Sequence, residues 1–497
     1  MGDITLHKTF LNWCLAVLLA ILPLTAFADE IVIVIGSEPT TLDPHAADDG
    51  GEKAVNDNVF ETLMVRDTEG NLGLGLAAEE PTQVDATTWE FKLQPGITFH
   101  NGEPLDAAAV AFSVERMIDP ELNSEQLSYF STMAGAEVID DVTVHIKTSG
   151  PDPILPARMY YFMIVPPEAS QADDFAEAPV GSGPFKFVSW DRGNEIVLEA
   201  DPEYRGGAPD VTQVTYRFIE EPGTRLSTLL AGEVDLVTNL LPEFMAQVPQ
   251  AASMRGLEHP MVLLNADGGI TADTRVRQAL NYAIDKEALA SALFEGQAQV
   301  EAGQLLGPTY FGFNEEISAY PYDPDRAMAL LEEAGAAGGE ITLVSTAGRW
   351  LKDRELTEVV AGFWSAVGLN VDVQIYEFDE YLQRLFRSED GQRADAIFVV
   401  SGNELLDADR SFSAYLAPSG FGASNSIDQL EEWITAARTE IDLEARQALY
   451  EQVVEYAHEE ALLTFLLNIN NIWGMSERLS WEPRVDGKMF VSTMTVE

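Results

Sequence analysis

Residues 179–190, PVGSGPFKFVSW, join a glycine-rich loop to the start of a strand. A glycine-rich loop can cradle phosphate when a helix follows it, because the backbone N–H groups and the helix dipole then converge on the anion. Here Phe185 and Phe187 alternate with polar residues, and this period of two predicts a strand. No Gly-Lys-Ser or Gly-Lys-Thr sequence follows the glycines. The segment therefore predicts a tight turn at Gly181 and Gly183 that feeds a strand, rather than a phosphate site.

The chain is long and strongly acidic. Its 497 residues exceed one ordinary hydrophobic core, which predicts two or three domains. Lys and Arg total 29 against 82 Asp and Glu, giving a formal net charge of −53. Nucleic acids and anionic membranes are themselves polyanions, so we expect neither as a partner. Dispersed acidic side chains are typical of a secreted protein that must stay soluble.

The N-terminal residues predict a signal peptide. Residues 15–24 are apolar, and Ala26-Phe27-Ala28 has the small-x-small pattern of a cleavage site. We expect cleavage after Ala28 and a periplasmic location. The alternative is an uncleaved anchor, but the apolar core is shorter than the about 20 residues that a membrane span needs. Cys14, the only cysteine, precedes the cut, so the mature chain has no disulfide and no cysteine metal ligand.

The pattern of elements predicts an α/β protein. Asp106 is placed to cap a helix over residues 107–117, and residues 142–148 alternate as a strand. The second half is more regular, with strands alternating with helices in the manner of a parallel-leaning sheet covered on both faces. The helices predicted there are 275–294, 324–334, 353–367, 378–386, 426–438 and 442–459, and the strands are 341–345, 371–376 and 396–400. No flexible linker separates the halves, so we expect two lobes in close contact, with crossing strands as the hinge.

The sequence lacks the common hydrolase motifs. The nucleophile motif Gly-x-Ser-x-Gly is absent, and His458-Glu459-Glu460 lacks the second histidine of His-Glu-x-x-His. The histidines after the predicted cut are not paired at helical spacing, so the sequence indicates no imidazole metal site. We therefore nominate no catalytic residue, no metal ligand and no cofactor, and we expect a protein that is not an enzyme.

Several segments together resemble one family, the dipeptide/oligopeptide/nickel family of ABC-transporter solute-binding proteins (family 5). The opening stretch resembles the family signature Pro-Val-Gly-Thr-Gly-Pro-Tyr, and residues 273–285 are the most specific match. The matching segments are 41–44 (TLDP), 99–105 (FHNGEPL), 179–187 (PVGSGPFKF), 231–235 (AGEVD), 273–285 (DTRVRQALNYAID), 322–324 (YDP) and 330–335 (LLEEAG). The chain departs from the family pattern after Asp106: it has Ala-Ala-Ala-Val where family members have two acidic residues.

The resemblance implies a two-lobed periplasmic binding protein fold of type II, with an extra subdomain in lobe I and a hinge between the lobes. The implied organisation is a signal peptide at 1–28, lobe I at 29–265 with an inserted subdomain at about 58–178, lobe II at 266–471, and a return to lobe I at 472–497. The chain would cross between the lobes near residues 259–265 and 467–473. The implied mechanism is closure of the lobes over a solute that contacts both of them.

The resemblance also suggests residues that hold the ligand. Family dipeptide binders hold the ligand amine with an aspartate, and residues 400–412 (VSGNELLDADRSF) match that segment but lack its Trp and Asp-Pro. Glu404 could replace the acid, and Asn403 beside it is a further candidate ligand contact. Asp407 or Asp409 could also replace the acid, but both are better placed to cap the following helix. Arg349 falls within a residue or two of the family arginine that holds the ligand carboxylate, and a surface ion pair is the alternative.

Further candidates are aromatic residues and the loop after the first strand. Trp350 and Tyr161 could stack on a ligand or fill the core, while Phe162 is a core residue. Ser37 and Glu38 follow the first strand, in a loop that faces the cleft in the family.

The sequence therefore predicts an extracytoplasmic protein that captures a peptide-like solute and delivers it to an ABC importer. Its partners would be the solute and the permease subunits of that importer, and we expect a monomer. Alternatives are the same role for an opine, an oligosaccharide or another small polar solute, and more remotely a secreted hydrolase.

Overall fold

The computed structural model describes residues 29–386 and 393–497. The predicted signal peptide at 1–28, including Cys14, lies outside these described residues. Within the described ranges, no helix is both long and apolar enough to cross a membrane. The first described element is a strand that begins at Glu30.

The described residues form twenty strands and twelve α-helices. The strands are β1 (Glu30–Ile35), β2 (Met64–Arg66), β3 (Leu72–Leu74), β4 (Thr82–Asp85), β5 (Thr88–Lys92), β6 (Met133–Val138), β7 (Thr143–Thr148), β8 (Phe185–Asp191), β9 (Glu195–Ala200), β10 (Gln213–Phe218), β11 (Leu236–Val237), β12 (Gln250–Leu264), β13 (Ala298–Val300), β14 (Glu340–Thr346), β15 (Asn370–Tyr376), β16 (Ala396–Ser401), β17 (Leu463–Phe465), β18 (Leu467–Met475), β19 (Leu479–Ser480) and β20 (Thr495–Val496). The helices are α1 (Gly50–Val59), α2 (Ala107–Ile118), α3 (Leu155–Arg158), α4 (Pro222–Leu230), α5 (Thr274–Tyr282), α6 (Lys286–Phe294), α7 (Pro324–Glu333), α8 (Asp353–Ala366), α9 (Phe378–Leu385), α10 (Ala408–Tyr415), α11 (Asp428–Thr439) and α12 (Leu443–Glu459).

Two long strands connect the two lobes. The first part of β12 pairs antiparallel with β18 on the lobe I side, and its last residues, His259 to Leu264, pair with β16 on the lobe II side. The strand order through the whole sheet is β15-β14-β16-β12-β18-β11-β1-β10-β9-β8. The pairing of β12 with β18 shifts its register between Arg255 and Glu258. A register shift bends a strand, so this irregularity lies where the sheet passes from one lobe to the other.

Lobe II is a sheet covered by helices on both faces. β14 is parallel to both β15 and β16, as the alternation of strands and helices predicts. Successive residues of β12 and β16 point to opposite faces: Val262 and Phe398 pack with α5 to α8, whereas Met261 and Val399 pack with α9 to α12. The two-lobed α/β fold expected from the sequence is confirmed.

Lobe I contains a central sheet and a smaller antiparallel sheet. In the central sheet β1 is parallel to β10 and β11, and β9 and β8 extend it as a hairpin. The smaller sheet has the order β4-β5-β7-β6 and packs against α2 around its own core. Asp106 caps α2, accepting the N–H groups of Ala108 at 2.9 Å and Ala109 at 3.1 Å, so the helix forms without the family's two acids. We call this smaller unit the subdomain.

The two glycines of the opening stretch serve a different purpose from the predicted turn. Neither has a positive φ. A Cβ on Gly181 would collide with the carbonyl oxygen of Val59, and a Cβ on Gly183 would lie 2.7 Å from the carbonyl oxygen of Asn58. Gly183 N–H also donates to the Val59 carbonyl at 2.8 Å. The glycines therefore let this loop approach the end of α1 closely.

Some local predictions were wrong in detail. The helix predicted at 275–294 is two helices, because Asp285 caps α6 by accepting from Ala288 N–H. Helix α1 was not predicted at all.

Candidate functional site

A short segment of lobe II contacts lobe I at several points. This contact segment, residues 402–410, follows β16 and enters α10. The Leu405 side chain is 1% exposed and belongs to the core of the subdomain. Its carbonyl oxygen accepts a hydrogen bond from Arg66 Nη2 at 2.6 Å. Asp409, farther along, accepts from Arg158 Nη2 at 3.3 Å. The contact segment is therefore one of the places where the two lobes meet.

Glu404 lies within this segment and is surrounded by positive charges. Arg410 Nη1 lies 3.2 Å from Glu404 Oε2, and Tyr129 Oη of lobe I lies 3.5 Å from the same oxygen. Burial tends to raise the pKa of Glu404, but the charges of Arg410 and Lys53 outweigh burial, so its pKa falls below the usual value. Glu404 is therefore a carboxylate that stays ionised between the lobes.

Lys53 of lobe I interacts electrostatically with Glu404. It lies on α1, ion-pairs with Asp48 at 2.5 Å, and its Nζ sits 4.8 Å from the centre of the Tyr161 ring. Burial lowers its pKa, but the negative charges of Glu404 and Asp48 more than compensate, so the pKa is raised overall. Opposite charges from the two lobes therefore act on each other across their junction.

Tyr161 belongs to the same group of side chains. It is 6% exposed, its ring packs 4.9 Å from that of Tyr129, and its Oη donates to Asp48 Oδ1 at 3.1 Å. Burial, together with the negative charge of Glu404, raises its pKa well above the usual range. The structure thus brings two sequence-predicted residues, Tyr161 and Glu404, to the same junction.

Arg349 occupies a more open position on lobe II. Its side chain is exposed, and its guanidinium lies 5.3 Å from the Phe378 ring. Its backbone N–H donates to Asp353 at the start of α8. The pKa of Glu258 on β12 is raised overall, mainly through burial of the side chain. The positive charge of Arg349 lowers this pKa, and the negative charge of Glu404 raises it further. Arg349 and Glu404 therefore both act electrostatically on Glu258, at the point where the chain crosses between the lobes.

Trp350, next to Arg349, packs against other aromatic residues. Its ring meets those of Phe378, Tyr381 and Phe398 edge-on, with centroids 5.9 to 6.3 Å apart. These contacts attach the loop after β14 to the lobe II core. A contact between Trp350 and a ligand stays a prediction.

Asn403 holds the contact segment in shape. Its Nδ2 donates to the Asp407 carbonyl at 2.7 Å and to Ser411 Oγ at 2.9 Å. Its Oδ1 is buried with no hydrogen-bond partner among the described residues. Asp407 caps α10 by accepting from Asp409 N–H, as the sequence indicated.

Glu38 and Ser37 lie farther from this junction. Glu38 Oε1 accepts from Trp190 Nε1 and from Gly193 N–H, both at 2.9 Å, and so fixes the hairpin of β8 and β9. Ser37 is exposed at the end of β1. The structure does not place either residue beside Glu404.

A cavity of about 330 Å³ opens beside the contact segment, between the subdomain and helices α10 and α11. Its lining includes Tyr129 and Arg158 from lobe I, and Arg410, Tyr415 and Arg438 from lobe II. This volume is at the lower end of the range for small-molecule sites, about 300–1,000 Å³. In residues 29–386 and 393–497 no group of three His, Asp or Glu side chains could hold a metal ion.

Four residues of this site were missed by sequence reasoning. Lys53, Tyr129, Glu258 and Arg410 come from α1, the subdomain, β12 and α10. Arg410 lies within the family-like segment 400–412, six residues from Glu404. Lys53, Tyr129 and Glu258 stand in no motif and are brought to Glu404 only by the tertiary fold. The one available signal was the scarcity of basic residues, 29 in 497, which makes each of them more informative.

Comparison with known proteins agrees with this architecture. The glutathione-binding protein GsiB of Pectobacterium atrosepticum is 29% identical over 357 residues, which is 70% of this chain and 69% of that protein. A dipeptide-binding protein of Escherichia coli is 27% identical over 427 residues, 78% of this chain and 79% of that protein. The crystal structure of the ABC transporter substrate-binding protein CtaP of Listeria monocytogenes superposes with a TM-score of 0.84 at 20% identity. That superposition covers 94% of this chain and 99% of that one, and it establishes the fold.

The family model for bacterial extracellular solute-binding proteins, family 5, matches residues 71–423. This range contains the subdomain, the crossing strand β12 and the contact segment. The match confirms the family that the motifs of the sequence resemble. The chain therefore belongs to the bacterial extracellular solute-binding proteins of family 5.

Proposed function

We propose that the solute is peptide-like, carrying an amine and a carboxylate, and that it is held between the two lobes. Family 5 proteins bind peptides or small molecules and work with ABC transporters. The observation that carries the proposal is the ionised Glu404 of lobe II, which interacts electrostatically with Lys53 of lobe I. A zwitterionic solute needs both signs of charge in one site, and this junction supplies them.

In this proposal the solute's amine takes the place of a protein cation at Glu404. The Glu404–Arg410 pair is partly exposed, with side chains 31% and 34% accessible, so its partners can exchange without a large desolvation cost. The exposed guanidinium of Arg349 receives the carboxylate, because its planar fork donates two parallel hydrogen bonds. A solute held by both groups would be enclosed next to Glu258 on the crossing strand.

Such contacts would favour the closed state. A ligand that bridges two lobes binds the closed form better and shifts the population toward it. The permease subunits of an ABC importer would then recognise the closed form. We propose that the protein acts as a monomer in the periplasm, after cleavage behind Ala28, and that it has no catalytic activity of its own.

Two relatives make specific peptides worth testing first. One is named for glutathione and one for dipeptides, and both kinds of molecule carry an amine and at least one carboxylate. The second candidate is an opine, an oligosaccharide or another small polar solute. It is favoured by one observation: residues 400–412 lack the tryptophan and the Asp-Pro that the family's dipeptide binders have.

Calorimetry with four combinations of protein and peptide tests the proposal. Wild type and Arg349→Ala are each titrated with dipeptides and tripeptides, either free or amidated at the C-terminus. Amidation should weaken binding to the wild type by about tenfold to a hundredfold but should have little effect on Arg349→Ala. Equal weakening of both proteins would show that Arg349 does not hold the carboxylate.

Two further measurements separate the alternatives. Mass spectrometry of small molecules that co-purify with the protein identifies the solute class directly, and a sugar or an opine there would replace the peptide proposal. Product analysis after long incubation with bound peptide should find the peptide intact, whereas cleavage products would favour a secreted hydrolase.

A further inference from the structure

The cavity beside the contact segment differs in charge from the rest of the molecule. Its charged lining residues are three arginines, Arg158, Arg410 and Arg438, and one aspartate, Asp409. The whole chain has the opposite balance, with 29 basic and 82 acidic side chains. Basic residues are scarce in this chain, so three arginines at one cavity form a local concentration of N–H donors.

The one carboxylate of the lining is already satisfied. Asp409 Oδ1 lies 3.1 Å from Arg438 Nε and accepts from Ser413 Oγ at 3.2 Å, and its Oδ2 accepts from Arg158 Nη2 at 3.3 Å. Arg158 is also fully engaged, because it pairs with Asp152 at 2.9 Å and donates to the Tyr129 carbonyl at 2.6 Å. Neither Asp409 nor Arg158 is therefore left to bind a cationic or an anionic solute.

Two arginines of the lining have guanidinium N–H groups with no hydrogen-bond partner among the described residues. Arg438 uses only Nε on Asp409, and across the described chain its Nη1 and Nη2 have no hydrogen-bond partner. Arg410 uses only Nη1, on Glu404 and on the Gly402 carbonyl, so its Nη2 is likewise uncommitted within the described residues. Their side chains are 43% and 34% exposed, which makes these donors accessible from the cavity.

The charges around the cavity can be matched one by one. Arg158 pairs with Asp152, Arg410 with Glu404, and Asp409 takes bonds from Arg158 and Arg438. Asp409 offsets the charge of Arg438, but it contacts only the Nε edge and leaves the two terminal nitrogens open. The lining therefore has spare N–H donors and no spare carboxylate, which is the composition that suits an anion.

We propose that this cavity is a second subsite that receives a carboxylate-bearing side group of the solute, with Arg438 as its main contact. The proposal rests on the proposed function, since it assigns to the same solute an acidic group besides its terminal carboxylate. Tyr415 and Phe421 in the lining offer apolar surface to the carbon chain that carries the acid. A guanidinium fork in the open mouth of a small cavity selects planar carboxylates over neutral amides of the same shape.

Matched pairs of acid and amide test the subsite. The probes are Gly-Glu against Gly-Gln, Ala-Glu-Ala against Ala-Gln-Ala, and citrate as an acid that is not a peptide. Each is titrated at one ionic strength into wild type, Arg438→Gln and Arg438→Lys. The control is Arg354→Gln, which removes the same charge from an exposed position on α8, where Arg354 faces Glu358 at 3.8 Å.

The acidic member of a pair should bind wild type about tenfold to a hundredfold more tightly than its amide. Arg438→Gln should remove that preference and leave the affinity for the amide unchanged. Arg438→Lys keeps the positive charge but lacks the planar guanidinium, so its preference for the acid should lie between those of wild type and Arg438→Gln. Arg354→Gln should show the same preference as wild type. Thermal melting of each variant confirms that the proteins compared are folded.

The remaining outcomes separate this inference from the proposed function. Equal affinity for acid and amide in wild type, or equal weakening of both by Arg438→Gln, overturns the subsite while peptide binding stands. Arg438-dependent binding of citrate without any peptide binding overturns the peptide proposal and supports the anionic subsite. Binding of no probe at all overturns both.

Discussion

Two carboxylates of the contact segment, Glu404 and Asp407, each form an ion pair with an arginine, yet the surroundings of the two pairs differ. Asp407 and Arg446 form a bidentate pair at 2.6 and 2.7 Å, and their side chains are 6% and 2% exposed. Glu404 and Arg410 form a single contact at 3.2 Å with about a third of each side chain exposed. The first pair is closed to solvent, whereas the second is open at the junction of the lobes.

The difference between these pairs distinguishes an ion pair that stabilises the fold from an ion pair that can exchange a partner for a ligand. Arg446 also donates to the Ala437 carbonyl and to Tyr450 Oη, while Asp407 caps α10, so each partner has little left to offer a ligand. Glu404 has partners from both lobes, and those partners can be replaced by a solute's amine. A buried pair that is broken leaves a stranded charge, whereas a half-exposed pair is easily exchanged with water or ligand.

The largest expected effect is on the buried pair. Arg446→Ala strands the Asp407 carboxylate and should lower the free energy of unfolding by about 3–5 kcal/mol. Urea unfolding followed by circular dichroism measures the change. Arg354→Ala, in the exposed pair with Glu358, should cost less than about 1 kcal/mol. Similar losses in the two variants would remove the distinction between the pairs.

The second effect concerns binding rather than stability. Glu404→Gln should weaken peptide binding by about tenfold to a hundredfold, because a charge-assisted hydrogen bond to the amine is lost. Its unfolding free energy should stay within about 1 kcal/mol of wild type, since Arg410 and Lys53 retain solvent contact. If Glu404→Gln unfolds more easily but binds peptide normally, Glu404 stabilises the fold and does not bind the ligand.

The third effect is a dependence on pH. Because Arg410 and Lys53 lower the pKa of Glu404, its ionised form stabilises the folded state above the unfolded pKa, about 4.3. That contribution is lost as the pH falls through the lower, folded pKa. Affinity for a peptide amine should therefore hold from pH 7 to pH 5 and decline only below about pH 4. A decline centred near pH 6 would mean that Glu404 is not held ionised.

The smallest effect is at the crossing strand. Burial raises the pKa of Glu258, so its charge opposes folding once the pH exceeds the unfolded pKa. Glu258→Gln should raise the unfolding temperature at pH 7 by a few degrees or less, and the gain should shrink toward pH 4, where wild-type Glu258 is protonated. A loss of stability at pH 7 would show that the charge of Arg349 fully compensates burial at this site.

Local chemistry explains which parts of the fold could be predicted. Asp106 predicts helix α2, because a carboxylate at the N-cap position followed by a run of alanines strongly favours the start of a helix. Helix α1 has a similar cap, because Asp49 accepts from Glu52 N–H, but its other signals oppose a helix: it begins with Gly50 and Gly51 and buries polar residues such as Glu52 and Asn56. Its stability comes from the lobe I core around it rather than from its own sequence.

The site was only partly predictable for a related reason. Glu404 was found through its segment's resemblance to a family motif, and Tyr161 through an aromatic cluster. Lys53 and Glu258 lie about 350 and 150 residues earlier in the chain, and no local pattern connects them with Glu404. The crossing of β12 and β18 creates that proximity, and single-sequence periodicity does not report such long-range pairings.

The central claim is that a solute is enclosed by closure of the two lobes around the Glu404 junction. Small-angle X-ray scattering tests it most directly, on wild type with and without a saturating peptide identified by calorimetry. The account predicts that the radius of gyration falls on binding, and that it falls less for Glu404→Gln at the same peptide concentration, because a smaller fraction of that variant is bound. An unchanged radius of gyration for wild type saturated with a confirmed ligand would contradict the account.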